Sequence, residues 1–282
     1  MRATVINGRD VAKKQYAKMS ETIFELKKKN ITPCLAIILA GDDPASVGYV
    51  SLKERTAKSV GVDCRVSRLP ADVPQCEIEG LIDSLNKSDD VHGIMVQLPL
   101  PAHIDANIVL ELIIPEKDVD GFHLVNSGKL TNRMTGITPC TPRGIMELIA
   151  ETGRSITGKH AVIVGRSMVV GTPLALLLLN ADATVTICHS KTEDLASYTS
   201  TADILVSAVG RKGLIRGDMV KEGAIVVDVG NTRVDGKVWG DVRFDEVSEI
   251  ADFITPVPGG VGPMTIAMLI KNTVEAACDK AQ

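Results

Sequence analysis

Short apolar runs alternate with longer helix-like segments from one end of this 282-residue chain to the other. Strands that alternate with helices in this way predict an α/β fold, because a helix must cover the face of the sheet at each crossover. In the second half of the chain, each apolar run ends in a polar or glycine-containing turn, and the runs are HAVIVG, ATVTICH, DILVSAVG and AIVVDVG. Four such strands with intervening helices predict a small doubly wound, Rossmann-like parallel sheet.

The first half of the chain shows the same alternation. Its predicted strands are CLAIILAG, VDCRVSRL and GIMVQLPLP, and its predicted helices cover 8–30, a segment opened by Asp43-Pro44, 74–86 and 104–112. The polar stretch PEKDVDGFHLVNSGKL is predicted as a loop, as is ITPVPGGVGPMT before a last helix at 266–277. We therefore expect two α/β lobes around a cleft, with ligands at the carboxyl ends of the strands.

The composition narrows the class of protein. Hydrophobic residues make up 45% and charged residues 23%, and the net charge is −4, which gives no support to nucleic-acid binding. Six cysteines form no C-x-x-C pair and five histidines show no metal-ligand spacing, so we expect buried thiols in a reducing compartment and no metal site. MRATVINGRD has no apolar signal core and no run approaches membrane-spanning length, so a cytoplasmic protein without a membrane partner is expected.

The loop GRSMVVGTP follows a predicted strand and precedes a predicted helix, a context that favours phosphate binding. Its glycine spacing matches neither the common dinucleotide fingerprint nor the nucleoside triphosphate loop. The next strand ends in CHSKT, without the carboxylate that would hold a ribose and repel a 2′-phosphate, so Arg166, Ser190 and Lys191 favour NADP over NAD. The alternative is a glycine turn that packs a helix on its sheet beside a surface arginine.

Three residues and one acidic segment of the first half are candidates for chemistry. Tyr49 and Lys53 lie four apart on one helix face, although a lysine there is commonly a solvated charge. Gln97 ends a strand, where it either reaches a ligand or bonds its own loop. The segment KDVDGFH offers two carboxylates that either serve a site or cap turns. The pattern alone does not join these residues into one site.

Seven motifs together resemble the bifunctional methylenetetrahydrofolate dehydrogenase/cyclohydrolase family. They occur in the family's order and span nearly the whole chain: YVSLK, VQLPLP, KDVDGFH, PCTPRG, GRSMVVGTP, CHSKT and TPVPGGVGPMT. The resemblance implies a homodimer with a folate-binding catalytic domain of 1–138 and 266–282 and an NADP-binding domain of 139–265. It also implies oxidation of 5,10-methylenetetrahydrofolate with NADP+, followed by hydrolysis to 10-formyltetrahydrofolate, as part of one-carbon metabolism.

The resemblance also assigns roles to particular residues. Lys53 would be the central acid/base residue tuned by Gln97, Tyr49 would stack on the folate rings, and Asp120 would anchor the pterin. The folate cleft would be lined by Pro258, Gly259, Gly262 and Thr265. Cofactor binding would fall to Gly165, Arg166, Ser167, Ser190, Asn231, Thr141 and Gly171.

Three segments depart from the family pattern, and three alternative functions remain open. DVGNT stands in place of D-x-G-I-N, which bears on the cofactor contact of Asn231; GDVRF is expected to differ only at the surface; and MTGITPC receives no functional meaning. The alternatives are a monofunctional, NAD-preferring dehydrogenase, a noncatalytic dinucleotide-binding regulator on this fold, and a different NADP-dependent oxidoreductase.

Overall fold

The computed structural model describes residues 2–281, in which helices and strands alternate as predicted. The helices are α1 (Gly8–Lys28), α2 (Pro44–Val60), α3 (Gln75–Lys87), α4 (Ala106–Glu111), α5 (Leu124–Thr131), α6 (Cys140–Glu151), α7 (Gly171–Asn180), α8 (Leu195–Thr199), α9 (Phe244–Val247) and α10 (Val261–Lys280). The strands are β1 (Thr4–Val5), β2 (Cys34–Ala40), β3 (Asp63–Leu69), β4 (Gly93–Val96), β5 (His160–Val164), β6 (Thr184–Cys188), β7 (Ile204–Ser207), β8 (Ile225–Asp228), β9 (Thr232–Val234), β10 (Lys237–Trp239) and β11 (Phe253–Ile254).

The chain divides into two compact units. One contains residues 14–140 and 266–281 and is built on a parallel sheet in the order β3-β2-β4; we call it the three-stranded unit. The other contains residues 2–13 and 141–265 and is built on a parallel sheet in the order β1-β11-β8-β7-β5-β6; we call it the six-stranded unit. Among residues 2–281, no helix combines the length and the apolar character needed to cross a bilayer.

The core of the three-stranded unit forms where β2 packs against the helices. All seven residues of β2 are buried, and Ile38 belongs to a cluster with Ile78 of α3 and Ile94 of β4. Such a continuous apolar run is characteristic of a central parallel strand covered on both faces. Strand β4 ends at Val96, and the backbone N–H of Gln97 still donates a hydrogen bond to the Ile38 carbonyl at 2.9 Å. Gln97 therefore stands at the carboxyl end of the sheet.

The six-stranded unit contains the predicted doubly wound core. Strand β5 pairs with β6 on one side and β7 on the other, so the strand order reverses at β5. In folds of this kind the crevice at the reversal is the usual ligand site. GRSMVVGTP begins at this point, directly after Val164.

Three sequence expectations are corrected here. The sheet gains β1 and β11 beyond the four predicted strands, and because Thr4 pairs with Phe253, residues 2–13 join the six-stranded unit instead of the first lobe. The stretch predicted as a loop at 115–130 contains α5, whose first turn is capped by His123 Nδ1. Helix α10 begins at Val261, inside the predicted proline-glycine loop.

Candidate active site

Helix α2 carries the predicted Tyr49 and Lys53 on one face. It begins behind Asp43, whose carboxylate accepts a hydrogen bond from Ser46 N at 2.8 Å, and Pro44 occupies the first turn. Lys53 is only 5% exposed. This burial excludes the alternative of a solvated surface lysine, since a buried ammonium needs specific partners to offset its lost hydration.

Three groups surround the Lys53 ammonium. Its Nζ donates to Gln97 Oε1 at 3.1 Å, lies 3.4 Å from Met95 Sδ, and sits 4.5 Å from the centroid of the Tyr49 ring. Gln97 Nε2 donates to the Leu98 carbonyl at 2.6 Å. The amide nitrogen of Gln97 is therefore tied to its own loop, and this tie turns the amide oxygen toward Lys53.

The pKa values of Lys53 and Asp120 move in opposite directions for one reason. Burial lowers the pKa of Lys53, an effect opposed by the nearby Asp120 and Cys140. Burial also raises the pKa of Asp120 to about 7, an effect opposed by Lys53 and reinforced by Asp118. Desolvation disfavours the charged form of each group, so both exchange protons more readily near neutral pH than they would in water.

The two aspartates of KDVDGFH have different surroundings. Asp118 is 1% exposed, and its carboxylate accepts hydrogen bonds from Gly121 N at 3.1 Å, His123 N at 2.8 Å and Asn126 Nδ2 at 3.0 Å. Asp118 thus holds the turn together. Asp120 is the aspartate whose charge acts on Lys53.

Met95 and Asn272 were not predicted from the sequence. Asn272 Nδ2, from α10, donates to the carbonyls of Val119 at 2.8 Å and Thr138 at 3.0 Å, which fixes the backbone on one side of Asp120. Cys140 Sγ lies 3.2 Å from the same Val119 carbonyl. The available signal was an asparagine within the otherwise apolar face of the last helix, but its partners lie too far away in sequence to be identified from it.

The loop after β5 in the six-stranded unit requires its glycines. A Cβ on Gly171 would overlap the Gly165 carbonyl oxygen. Gly165 has a φ of +127°, and a Cβ there would lie 2.6 Å from the Ala208 carbonyl oxygen. Helix α7 then begins at Gly171 with Val170 as N-cap and no side-chain cap. The loop therefore brings backbone to the start of a helix without a competing side-chain acceptor, which favours an anion.

Arg166 and Ser190 leave the sheet on neighbouring strands. Val164 at the end of β5 pairs in register with Cys188 at the end of β6, so the two following segments start side by side. Both Arg166 and Ser190 are exposed, and within residues 2–281 no carboxylate forms an ion pair with the arginine. Ser167 Oγ accepts from Val170 N at 3.2 Å and thereby shapes the loop.

The remaining predicted site residues also lie in the six-stranded unit. The Thr141 and Thr265 hydroxyls share a hydrogen bond of 2.9 Å, which joins the start of α6 to the first turns of α10. The others lie in the loop between β8 and β9, just before α10, or in its first turn: Asn231, Pro258, Gly259 and Gly262. The folate residues predicted from TPVPGGVGPMT are thus in a different unit from Lys53.

Two family models match this chain. Residues 6–120 match the catalytic domain of tetrahydrofolate dehydrogenase/cyclohydrolase, and residues 139–281 match its NAD(P)-binding domain. The chain belongs to this family.

Individual members of the tetrahydrofolate dehydrogenase/cyclohydrolase family are similar over their whole length. The Bifunctional protein FolD of Brevibacillus brevis is 50% identical over 283 residues, covering 100% of both chains. The crystal structure of the bifunctional FolD enzyme from Campylobacter jejuni superposes with a TM-score of 0.97 at 50% identity, covering 98% of this chain and 99% of that one. The Trypanosoma brucei enzyme, complexed with NADP cofactor and inhibitor, superposes with a TM-score of 0.96 at 42% identity, covering 100% of this chain and 99% of that one.

The family's two domain models divide the site residues as the geometry does. The catalytic-domain model includes Tyr49, Lys53, Gln97 and Asp120, all in the three-stranded unit. The NAD(P)-binding model includes the loop that begins at Gly165. The sheet β3-β2-β4 therefore lies in the catalytic-domain match, and strands β5–β8 lie in the NAD(P)-binding match.

Proposed function

We propose that this chain oxidises 5,10-methylenetetrahydrofolate with NADP+ and then hydrolyses the product. In the first reaction the methylene carbon loses a hydride, which yields the 5,10-methenyl cation and NADPH. In the second, water adds to that carbon, the bond from the carbon to N5 breaks, and 10-formyltetrahydrofolate and a proton are released. The buried contact between Lys53 and Gln97 is the observation that carries this proposal.

Lys53 is the acid/base residue of the hydrolytic step. Burial lowers its pKa and so enlarges the fraction of neutral amine, and the positive charge of a methenyl substrate would disfavour the ammonium further. The neutral Nζ takes a proton from the attacking water and returns a proton to N5 as the ring opens. Gln97 Oε1 holds Nζ in place and favours its protonated form, so the amide tunes when the proton leaves.

Asp120 and Tyr49 bind the substrate beside that amine. With a pKa near neutrality, Asp120 accepts a hydrogen bond from the pterin when ionised and donates one when protonated. Its negative charge also favours the cationic carbon that forms on hydride loss. The Tyr49 ring supplies an aromatic face for the folate rings, with the Lys53 ammonium 4.5 Å from its centroid.

The six-stranded unit fits an NADP molecule. Gly171 lies so close to Gly165 that a side chain there would fill the turn, and the start of α7 has no side-chain cap, so the pyrophosphate finds backbone at a helix N-terminus. Arg166, Ser167 and Ser190 would take the 2′-phosphate, because the arginine is exposed and has no carboxylate partner in the described chain. When bound, the nicotinamide supplies the hydride acceptor.

The other predicted contacts belong to this proposal. Thr141, Gly165, Gly171 and Asn231 would complete the cofactor site. The loop residues Pro258, Gly259, Gly262 and Thr265 would line the folate site. The proposal also includes a homodimer that resides in the cytoplasm. The mass of the purified protein in solution tests the dimer.

A time course with 5,10-methylenetetrahydrofolate tests the function. Purified protein is given NADP+ or NAD+, and reduced cofactor, methenyl product and 10-formyl product are quantified separately. We expect NADPH and 10-formyl product to form faster than in the absence of protein. Reduced cofactor with only uncatalysed ring opening would leave a monofunctional dehydrogenase, and folded protein without turnover would favour the regulator.

The alternatives explain less of the molecule. A noncatalytic regulator leaves Lys53, which is buried at the cost of its hydration and held by the Gln97 amide, without a role. A different NADP-dependent oxidoreductase leaves the match to the folate catalytic domain over residues 6–120 without a reason.

A further inference from the structure

Asp241 lies fully buried beneath the loop that leaves β7. Its Oδ2 accepts hydrogen bonds from Ser207 Oγ at 3.0 Å and Val209 N at 2.8 Å, and its Oδ1 accepts one from Arg211 N at 2.7 Å. Three donors from one five-residue segment thus converge on a single carboxylate. The path of residues 207–211 is therefore set by a side chain that is 30 or more positions away in sequence.

The same carboxylate reaches the loop that leaves β8. A Cβ on Gly230 would lie 2.6 Å from Asp241 Oδ1, so this loop packs directly on Asp241. Asp228 secures the contact from the other side: its oxygens accept from Gly230 N at 2.8 Å and from the backbone N–H groups of Asp241 and Val242, both at 2.9 Å. Asp241 is thus wedged between the two loops.

Both loops adjoin the proposed cofactor residues. A Cβ on Gly165 would lie 2.6 Å from the Ala208 carbonyl oxygen and 3.4 Å from Val209 Cγ1, so the loop after β7 packs against the first glycine of GRSMVVGTP. The residue after Gly230 is Asn231, which is predicted to contact the cofactor. Arg243, in the same GDVRF segment, is exposed, so the segment has one surface residue and one buried aspartate.

We propose that Asp241 is a positioning residue for the dinucleotide, which holds the loops after β7 and β8 in their binding conformation before the cofactor arrives. This inference rests on the proposed function. A carboxylate suits the task because it offers only acceptors to three converging donors. An amide of the same shape would turn an N–H group toward at least one N–H or O–H donor.

The test compares Asp241→Asn with Asp245→Asn. Asp245 lies four residues further on, and its side chain is 96% exposed, so it serves as a matched control. For Asp241→Asn we expect the KM for NADP+ in the dehydrogenase reaction to rise about tenfold or more, as follows from a buried donor left unpaired. The cyclohydrolase reaction, assayed on the methenyl substrate without dinucleotide, should keep its kcat and KM.

The two activities separate a positioning role from a purely structural one. Equal loss of both activities in Asp241→Asn, together with a lower Tm, would overturn the inference in favour of general stabilisation. An unchanged KM for NADP+ would also overturn it. If the parent protein fails to bind NADP+ by calorimetry, the proposed function fails first and this inference falls with it.

A measurement on the unaltered protein covers the case in which Asp241→Asn does not fold. Amide hydrogen exchange of Val209 and Arg211 is followed without ligand, with the exposed Ser190 as an internal reference. Slow exchange of Val209 and Arg211 supports loops that are already in place, because exchange requires the bonds to Asp241 to open. Exchange as fast as that of Ser190 would contradict it.

Discussion

In the cluster around Lys53 the charged groups are buried or half-buried, whereas in the loop that begins at Gly165 they are exposed. The first region changes the pKa of its side chains by withdrawing them from water. The second presents to a ligand the loop backbone and Arg166, which forms no ion pair within residues 2–281. Proton transfer needs groups whose charge is easily altered, and recognition of a phosphate needs groups whose charge is constant.

The helices that carry the two regions also begin differently, because one supports a buried lysine and the other is proposed to meet a phosphate. In helix α2 the Asp43 carboxylate accepts a hydrogen bond from Ser46 N, and Pro44 has no N–H group, so fewer N-terminal amides are left for an external anion. Helix α7 has Val170 at the same position and no side-chain cap. A helix that only supports a lysine gains stability from a side-chain cap. In a helix that meets an anion, such a cap would occupy the backbone N–H groups that bind the anion.

Removing the amine from the buried region should have the largest effect. Lys53→Ala should lower cyclohydrolase kcat by about 10³-fold, because general acid–base groups contribute on that scale. NADP+ affinity, measured by calorimetry, should survive, since the cofactor residues lie in the other unit. Lys58→Ala is the matched control on the same helix, where the lysine is exposed and pairs with Glu54. Ring opening at the parent rate in Lys53→Ala would contradict the role of Lys53.

Neutralising Asp120 should stabilise the protein while it impairs activity. Because the pKa of Asp120 is raised to about 7, the folded chain holds a proton between pH 4 and 7 that the unfolded chain has released. The loss of folding free energy that comes from burying the ionised Asp120 carboxylate is therefore complete above pH 7 and disappears toward pH 4. Asp120→Asn should raise the free energy of unfolding at pH 8 by about 2–4 kcal/mol and bring no gain at pH 4.

Asp118→Asn supplies the contrast to that prediction. This aspartate accepts three hydrogen bonds, and an amide cannot accept all of them. It should lower the free energy of unfolding at pH 8 by about 1–3 kcal/mol, measured with urea. A gain in both variants would mean that burial, and not hydrogen bonding, dominates throughout the KDVDGFH segment.

Removing the exposed arginine tests the second region. Arg166→Ala should weaken NADP+ by about tenfold or more, since a charge-assisted bond to phosphate is lost, and should leave NAD+ nearly unchanged. Arg216→Ala is the control in the same unit, because that arginine is exposed and already paired with Asp218. Equal weakening of NADP+ and NAD+ would show that Arg166 does not distinguish the 2′-phosphate.

The cap of α2 should show the smallest effect. Asp43→Ala should lower the free energy of unfolding by about 1 kcal/mol, the usual value of an N-cap, without changing NADP+ affinity. Urea unfolding with calorimetry checks both. A loss of NADP+ affinity in Asp43→Ala would contradict the prediction that the two regions act independently.

The local pattern predicted most of the elements correctly. Strands β2, β3 and β5–β8 follow the predicted apolar runs, and α2 begins where Asp43-Pro44 predicted it. The pairing of β1 with β11 joins residues about 250 positions apart, and such a pairing leaves no trace in a two-residue strand. Helix α5 was missed because the glycine and asparagine within it favour loops.

The sequence by itself determined the alternation of strands and helices, the glycine loop after β5, and the spacing of Tyr49 and Lys53. Periodicity, turn residues and motif order depend on neighbouring residues, so they can be recognised from the sequence alone. Only the tertiary structure decided that Lys53 is buried against Gln97, which of two aspartates acts on it, and that Asp241 lies between two loops. Burial and hydrogen bonding depend on which distant segments pack together, and this arrangement in space gives an ordinary lysine or aspartate its chemistry.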